Sequence, residues 1–144
     1  MYENYDVNKD LELKGIWYQP ADSFRVLLAR AGGNNQKYNA LAERLIKPHR
    51  RALRNDKADP KVINDLLKEA FSKTVILGWQ VKGEGDAFID GIGNPDDPSD
   101  IMDVTPDNIL SVLRKYNELY SDIKEMAESS AAYLKEEMEE DSKN

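Results

Sequence analysis

Asp59-Pro60 and the apolar stripe that follows constrain this chain more than any other feature. Aspartate suits a helix N-cap, and proline suits the first helical position, where its missing N–H costs nothing. Val62, Ile63, Leu66, Leu67, Ala70, Phe71, Thr74 and Val75 then recur at three- and four-residue steps, which places them on one helix face. Leu77 closes the stripe before Gly78, and Trp79 is expected to fold back over the helix end beyond the glycine. A helix of roughly five turns with one continuous apolar face needs partners to cover it.

The flanking segments supply candidates. Asn34 or Asn35 can cap a helix carrying Tyr38, Leu41, Ala42, Leu45 and Ile46, with Pro48 interrupting it before a short basic turn through Arg54. Thr105-Pro106 repeats the cap-then-proline signal, and Ile109, Leu110, Leu113, Tyr116 and Tyr120 mark its stripe. A last helix carries Ile123, Met126, Ala127, Ala131 and Leu134, continuous with the previous one or broken near Tyr120-Ser121-Asp122. Upstream, Phe24, Val26 and Leu28 alternate with Arg25 and Leu27, the period of a half-buried strand. With Leu11, Leu13, Ile16, Trp17 and Tyr18 before a turn at Gln19–Asp22, this predicts a small hairpin ending at Gly32-Gly33. Residues 82–103 hold Gly83, Gly85, Gly91, Gly93, Pro95, Pro98 and many aspartates; they read as a long loop in which Ala87-Phe88-Ile89 forms a short strand or an anchor. The expected fold is mainly α, a small N-terminal β-hairpin packed on a bundle of about four to five helices. The expected organisation is a flexible 1–10, one domain over 11–134, and an acidic flexible tail at 135–144.

Charge divides sharply along the chain. Residues 1–24 carry 2 basic and 5 acidic side chains, residues 25–82 carry 13 and 5, and residues 83–144 carry 5 and 17. The balances are −3, +8 and −12 within a net charge of −7. Either the two signs fold against each other, or the positive middle and negative end meet different partners. The absence of cysteine removes disulfides, thiolate zinc sites and a cysteine nucleophile. The acidic start, Met1-Tyr2-Glu3-Asn4-Tyr5-Asp6, lacks the pattern of a signal peptide, and no apolar run approaches the ~18 residues of a membrane span.

No constellation of residues points to catalysis, a metal or a cofactor. His49 is the sole histidine and stands beside Arg50 and Arg51. The serines occupy no nucleophile-elbow motif. Asp86, Asp90, Asp96, Asp97, Asp100 and Asp103 do not keep the spacing of a calcium loop, since Phe88 and Ile92 fall where ligands are needed. The glycines lack the Gly-Lys-Ser/Thr or GxGxxG of phosphate loops. Arg44, Lys47, Arg50, Arg51, Arg54, Lys57 and Lys61 form a cluster able to neutralise phosphates, pair with the acidic half, or meet an acidic protein. The acidic 83–144 segment weighs against nucleic acid.

Phe24-Arg25-Val26-Leu27-Leu28-Ala29-Arg30-Ala31-Gly32, Asn35-Gln36-Lys37-Tyr38, Leu45-Ile46-Lys47-Pro48-His49-Arg50-Arg51, Leu67-Lys68-Glu69-Ala70-Phe71 and Val75-Ile76-Leu77-Gly78-Trp79 occur in characteristic order. With Val104-Thr105-Pro106-Asp107-Asn108-Ile109-Leu110-Ser111-Val112-Leu113, which looks like an "FTPENA…LL" helix opening, they make residues 13–134 resemble tail assembly chaperones of long-tailed bacteriophages. Val104 stands in place of an aromatic and Ile109 in place of an alanine. The resemblance implies a non-enzymatic protein of the infected bacterial cytoplasm. It would bind the tape measure protein or another tail protein, keep it soluble, and be absent from the mature virion. A structural minor tail protein and a nucleic-acid-binding protein using segment 44–61 are the alternatives. Trp17, Tyr18 and Phe88 are candidate anchors for a partner or for self-association. Arg44, Lys47, Arg50, Arg51 and Arg54 are candidates for steering an acidic one.

Overall fold

The computed structural model describes residues 1–134. Its helices follow the caps read from the sequence. Asn35 opens α2 (Gln36–Ile46), its side chain accepting from Tyr38 N–H. Asp59 opens α4 (Pro60–Thr74) by accepting from Lys61 N–H, and Thr105 opens α5 (Pro106–Lys115) by accepting from Asn108 N–H. Each cap satisfies a backbone donor that the first helical turn leaves without a partner. A short α1 (Lys9–Lys14) precedes them, α3 (Arg50–Arg54) follows a 3₁₀ turn at Lys47–His49, and α6 (Asn117–Glu128) follows α5 after a break at Tyr116.

The fold is mixed α/β, which corrects the expectation of a mainly α bundle with a small hairpin. The hairpin β1 (Ile16–Ala21) and β2 (Phe24–Leu28) is half of a four-stranded antiparallel sheet. β3 (Ile76–Lys82) pairs with β2, and β4 (Phe88–Asp90) pairs with β3, giving the order β1-β2-β3-β4. β5 (Ile92–Asn94) and β6 (Asp97–Met102) form a separate two-stranded hairpin. The segment expected as a loop at 82–103 is therefore mostly strand and tight turn. Gly78 does not cap a helix. It lies inside β3, and Trp79 is a core strand residue, 3 % exposed.

The physical reason is visible in β3 itself. Trp79 and Val81 face the helices, while Gly78, Gln80 and Lys82 face outward, an alternation that only a strand can bury one-sidedly. Gly91 allows the turn from β4 to β5. Its φ is +154°, its N–H donates to Trp79 C=O, and a side chain there would collide with Ile101. The aspartates of the β5–β6 hairpin serve turns. Asn94 Oδ1 accepts from Asp96 N–H, Asp97 Oδ1 accepts from Ser99, and Asn94 donates to Asp100.

The core lies between the sheet's inner face and α2, α4, α5 and α6. Phe71 of α4 is fully buried and meets Tyr38 of α2 and Tyr120 of α6 edge-on, with ring centroids 5.4 and 5.3 Å away. Val26, Leu28, Ile76 and Trp79 face this cluster from the strands. Residues 1–10, expected to be flexible, are tied down at their end. Val7 bridges to Leu134, and Asn8 donates its N–H to Tyr133 C=O and caps α1. The acidic tail expected at 135–144 lies outside the described residues.

One buried ion pair locks the N-terminal part to the rest. Glu12 of α1 is fully buried and accepts from Arg30 Nη1 at 2.8 Å and from both the backbone and side chain of Asn34. Arg30 also donates to Glu128 C=O at the end of α6 and lies over the Tyr133 ring. Glu12→Gln leaves the Arg30 guanidinium, which is mostly covered, without its counter-charge. Urea titration is expected to show a loss of about 3 kcal/mol, and a loss below ~1 kcal/mol would show that the pair contributes little.

Tyr120 offers the contrasting case, a buried hydroxyl with no hydrogen-bond partner among the described residues. Burial, with smaller contributions from Tyr38 and Glu128, pushes its pKa above the ordinary tyrosine value. Because the folded-state pKa is raised, its stabilising contribution is complete below about pH 10 and is lost as pH rises beyond it. Tyr120→Phe is expected to change stability at pH 7 by less than ~1 kcal/mol, since no bond is lost. Alkaline melts of the variant should fall less steeply than those of the parent. An equal slope would assign the effect to the other tyrosines whose pKa burial raises, Tyr133, Tyr38 and Tyr18.

Candidate functional site

Sheet register decides which side chains share the outward face. Trp17 stands opposite Leu27, which stands opposite Gly78; in the next row Arg25 is opposite Gln80, and Gln80 opposite Asp90; Lys82 is opposite Phe88. The guanidinium of Arg25 sits 4.3 Å from the ring centroids of both Trp17 and Phe88, so it is held between two aromatic rings. Its Nε donates to Gln80 Oε1 at 2.8 Å, and Gln80 Nε2 donates to Asp90 Oδ1 at 2.9 Å. None of these residues belongs to the core cluster, and Trp17 is 43 % exposed.

Two of the three expected aromatic anchors, Trp17 and Phe88, thus come together through a residue that sequence reasoning did not single out. Tyr18 faces the other way. It packs against the core, and desolvation, aided by Asp122 and Glu125 of α6, raises its hydroxyl pKa.

The basic residues form a second, separate surface. Arg44 lies on α2, Lys47 in the 3₁₀ turn, and Arg50, Arg51 and Arg54 on α3, all of them exposed. Arg50 pairs with Glu43 at 2.7 Å. Among the described residues, Arg44, Lys47, Arg51 and Arg54 make no ion pair. Two carboxylates of the 83–134 segment pair within that segment: Asp96 with Lys115, and Glu128 with Lys124. Asp65 takes Arg114 in a two-pronged contact that lowers the Asp65 pKa through its hydrogen bonds. His49 sits among the basic residues in the 3₁₀ turn, partly covered.

A third feature had no forerunner in the sequence. A groove of about 960 Å³ opens on the helical side of the sheet, where the β1–β2 turn, β3, the β5–β6 hairpin and the α5–α6 junction meet. Phe24 and Trp79, stacked at 5.6 Å with ring planes 10° apart, line it, and Pro20, Ile101, Tyr116 and Leu119 form further parts of its wall. Ile101 and Tyr116 are 45 % and 44 % exposed, large apolar surfaces turned to solvent at the rim. No alternation or stripe could have announced it, because its walls come from four distant segments. No helix among the described residues is long and apolar enough to cross a membrane.

Residues 33–144 match a family model described as YdaY prophage protein. No curated protein and no solved structure matches the chain. The matched span holds α2 to α6 and β3 to β6, and so most of the groove and all of the basic strip.

The groove rim should not hold the fold together. The double variant Ile101→Ser/Tyr116→Ser is expected to unfold within about 2 kcal/mol of the parent, because nearly half of each side chain is already in water. A larger loss in thermal or urea melts would make the rim part of the core.

Proposed function

Given that the chain belongs to the YdaY prophage protein family, we propose that it is a non-catalytic tail assembly chaperone, acting in the cytoplasm of the host bacterium on a phage tail protein, the tape measure protein foremost. The observation that carries this reading is the apolar groove. A chaperone must offer apolar surface not consumed by its own core, and the groove combines a stacked aromatic floor with proline and isoleucine walls open to solvent. A long helical client presents its apolar stripe in short stretches, and a groove of this size takes a turn or two of such a stripe. Arg44, Lys47, Arg51 and Arg54, without an ion pair among the described residues, steer an acidic client toward the protein without being needed at the point of contact.

Co-expression with the tape measure protein of the same prophage tests the reading. The expected result is a soluble complex that Ile101→Ser/Tyr116→Ser weakens at least tenfold, about 1.4 kcal/mol. Purified virions should lack the chain. Stoichiometric copies in virions would make it a minor tail subunit, and a complex indifferent to the rim substitutions would move the client elsewhere.

The exposed basic strip favours one second reading, nucleic-acid binding through segment 44–61. That reading requires a mobility shift that weakens steeply with salt and with Arg51→Gln/Arg54→Gln. No shift at low salt removes it.

A further inference from the structure

The outer face of the four-stranded sheet bears a chemistry that neither the groove nor the basic strip uses. Arg25 has one ring on each side and Gln80 on its Nε edge, so its plane is fixed before any partner arrives. Its two terminal nitrogens have no acceptor among the described residues and are not buried. The guanidinium therefore presents a pair of parallel donors to solvent, the geometry that a carboxylate meets with two hydrogen bonds. Lys82 adds a second cation, its Nζ 5.8 Å from the Phe88 ring centroid, while the nearby Asp90 carboxylate already accepts from Gln80. Trp17 and Leu27 supply apolar surface beside the fork and pack over Gly78, where a Cβ would lie 3.3 Å from Leu27 and 3.6 Å from Trp17.

We propose that this face docks an amphipathic helix of a partner protein, which sets one carboxylate into the fork of Arg25 and lays its apolar residues on Trp17 and Leu27. Helices cover sheet faces, whereas extended peptides add at sheet edges, and this is a face. Charge selects an acidic partner, since neither cationic head on the face, Arg25 or Lys82, has a carboxylate partner among the described residues. Protein is favoured over nucleic acid because the guanidinium already takes one face of each ring, Trp17 and Phe88, and the apolar surface left beside it includes the aliphatic Leu27. The freezing of the arginine, normally a cost of binding, is already met in the free protein. This surface goes beyond the tail-client reading and shares with the groove only Lys82 at the end of β3, since Phe24, Trp79 and Val81 line the groove from the inner face of the sheet.

The test uses the full chain and a synthetic amphipathic helical peptide of about 16 residues, leucine-faced with one glutamate at the centre of that face. A second peptide carries glutamine there. Titration calorimetry gives affinity, and the Trp17 indole N–H signal in NMR gives the place. Expected are binding tighter than about 1 mM, a shift of the Trp17 signal, and a loss of at least tenfold from Glu→Gln in the peptide or Arg25→Gln in the protein. Combining the two changes should cost no more than either alone. Trp17→Ala, at an exposed position, should weaken binding as well, which keeps the test informative if Arg25→Gln unfolds. Ile101→Ser/Tyr116→Ser should bind the peptide as the parent does, so failure here and failure of the groove reading are separable. Absence of binding, no discrimination between glutamate and glutamine, or an unmoved Trp17 signal overturns the proposal. So does preferential binding of a single-stranded oligonucleotide that Arg25→Gln abolishes.

Discussion

Pairing between β2 and β3 is the constraint on which the rest of this structure depends. Arg25 and Gln80, which face each other across it, lie 55 residues apart in sequence. Closing so long a loop costs chain entropy, although the cost grows only slowly with length. The return is large, because a hairpin of two strands is marginal alone and becomes half of a four-stranded sheet. Both surfaces of interest are products of this one pairing. On the inner side it stacks Phe24 on Trp79 and makes the groove floor, and on the outer side it sets Arg25 beside Gln80 and within reach of Phe88.

The buried Glu12–Arg30 pair acts on the same join from the other end. Arg30 follows β2 directly, and it reaches back to α1 and forward to the last turn of α6. Tyr133 completes the connection by donating to Leu28 C=O, the last residue of β2. Asn35 adds a third link, donating to both Arg30 C=O and Thr74 C=O while capping α2. A charge in this position is a weak source of net stability, since desolvation offsets the attraction. Its effect is selective. Any register of β2 that moved Arg30 would strand Glu12 in the core, so the correct pairing with β3 is favoured over slipped ones.

The helices were legible because their signals are local. Asn35, Asp59 and Thr105 announce themselves within four residues, and Pro60 and Pro106 stand beside two of them. β3 carried an equally readable alternation in Trp79, Gln80, Val81 and Lys82, but Gly78 invites a helix-cap reading when the preceding stripe is strong. β5 and β6 were opaque for a different reason. Their glycines, prolines and aspartates are the composition of turns, and only Ile92 of these strands is fully buried. The sites divide in the same manner. The basic strip is contiguous in sequence and could be named from it. Arg25 could not, because its value comes from Trp17 on one neighbour and from Phe88 two strands away.

The charge division takes its meaning from what fails to pair. Exposed ion pairs contribute little, so a chain with 17 acidic groups in residues 83–144 loses almost nothing by leaving Arg44, Lys47, Arg51 and Arg54 without an ion pair among the described residues. Had these cations packed against Asp96 or Glu128, their field would have been cancelled at short range and screened beyond a Debye length. Instead those acids take lysines of their own segment, Lys115 and Lys124, and the basic strip keeps its field. The same holds on a smaller scale at Arg25, whose carboxylate neighbour Asp90 is engaged by Gln80 and held off the guanidinium. In both places the fold forgoes a weak internal attraction and keeps a cation ready for an external one.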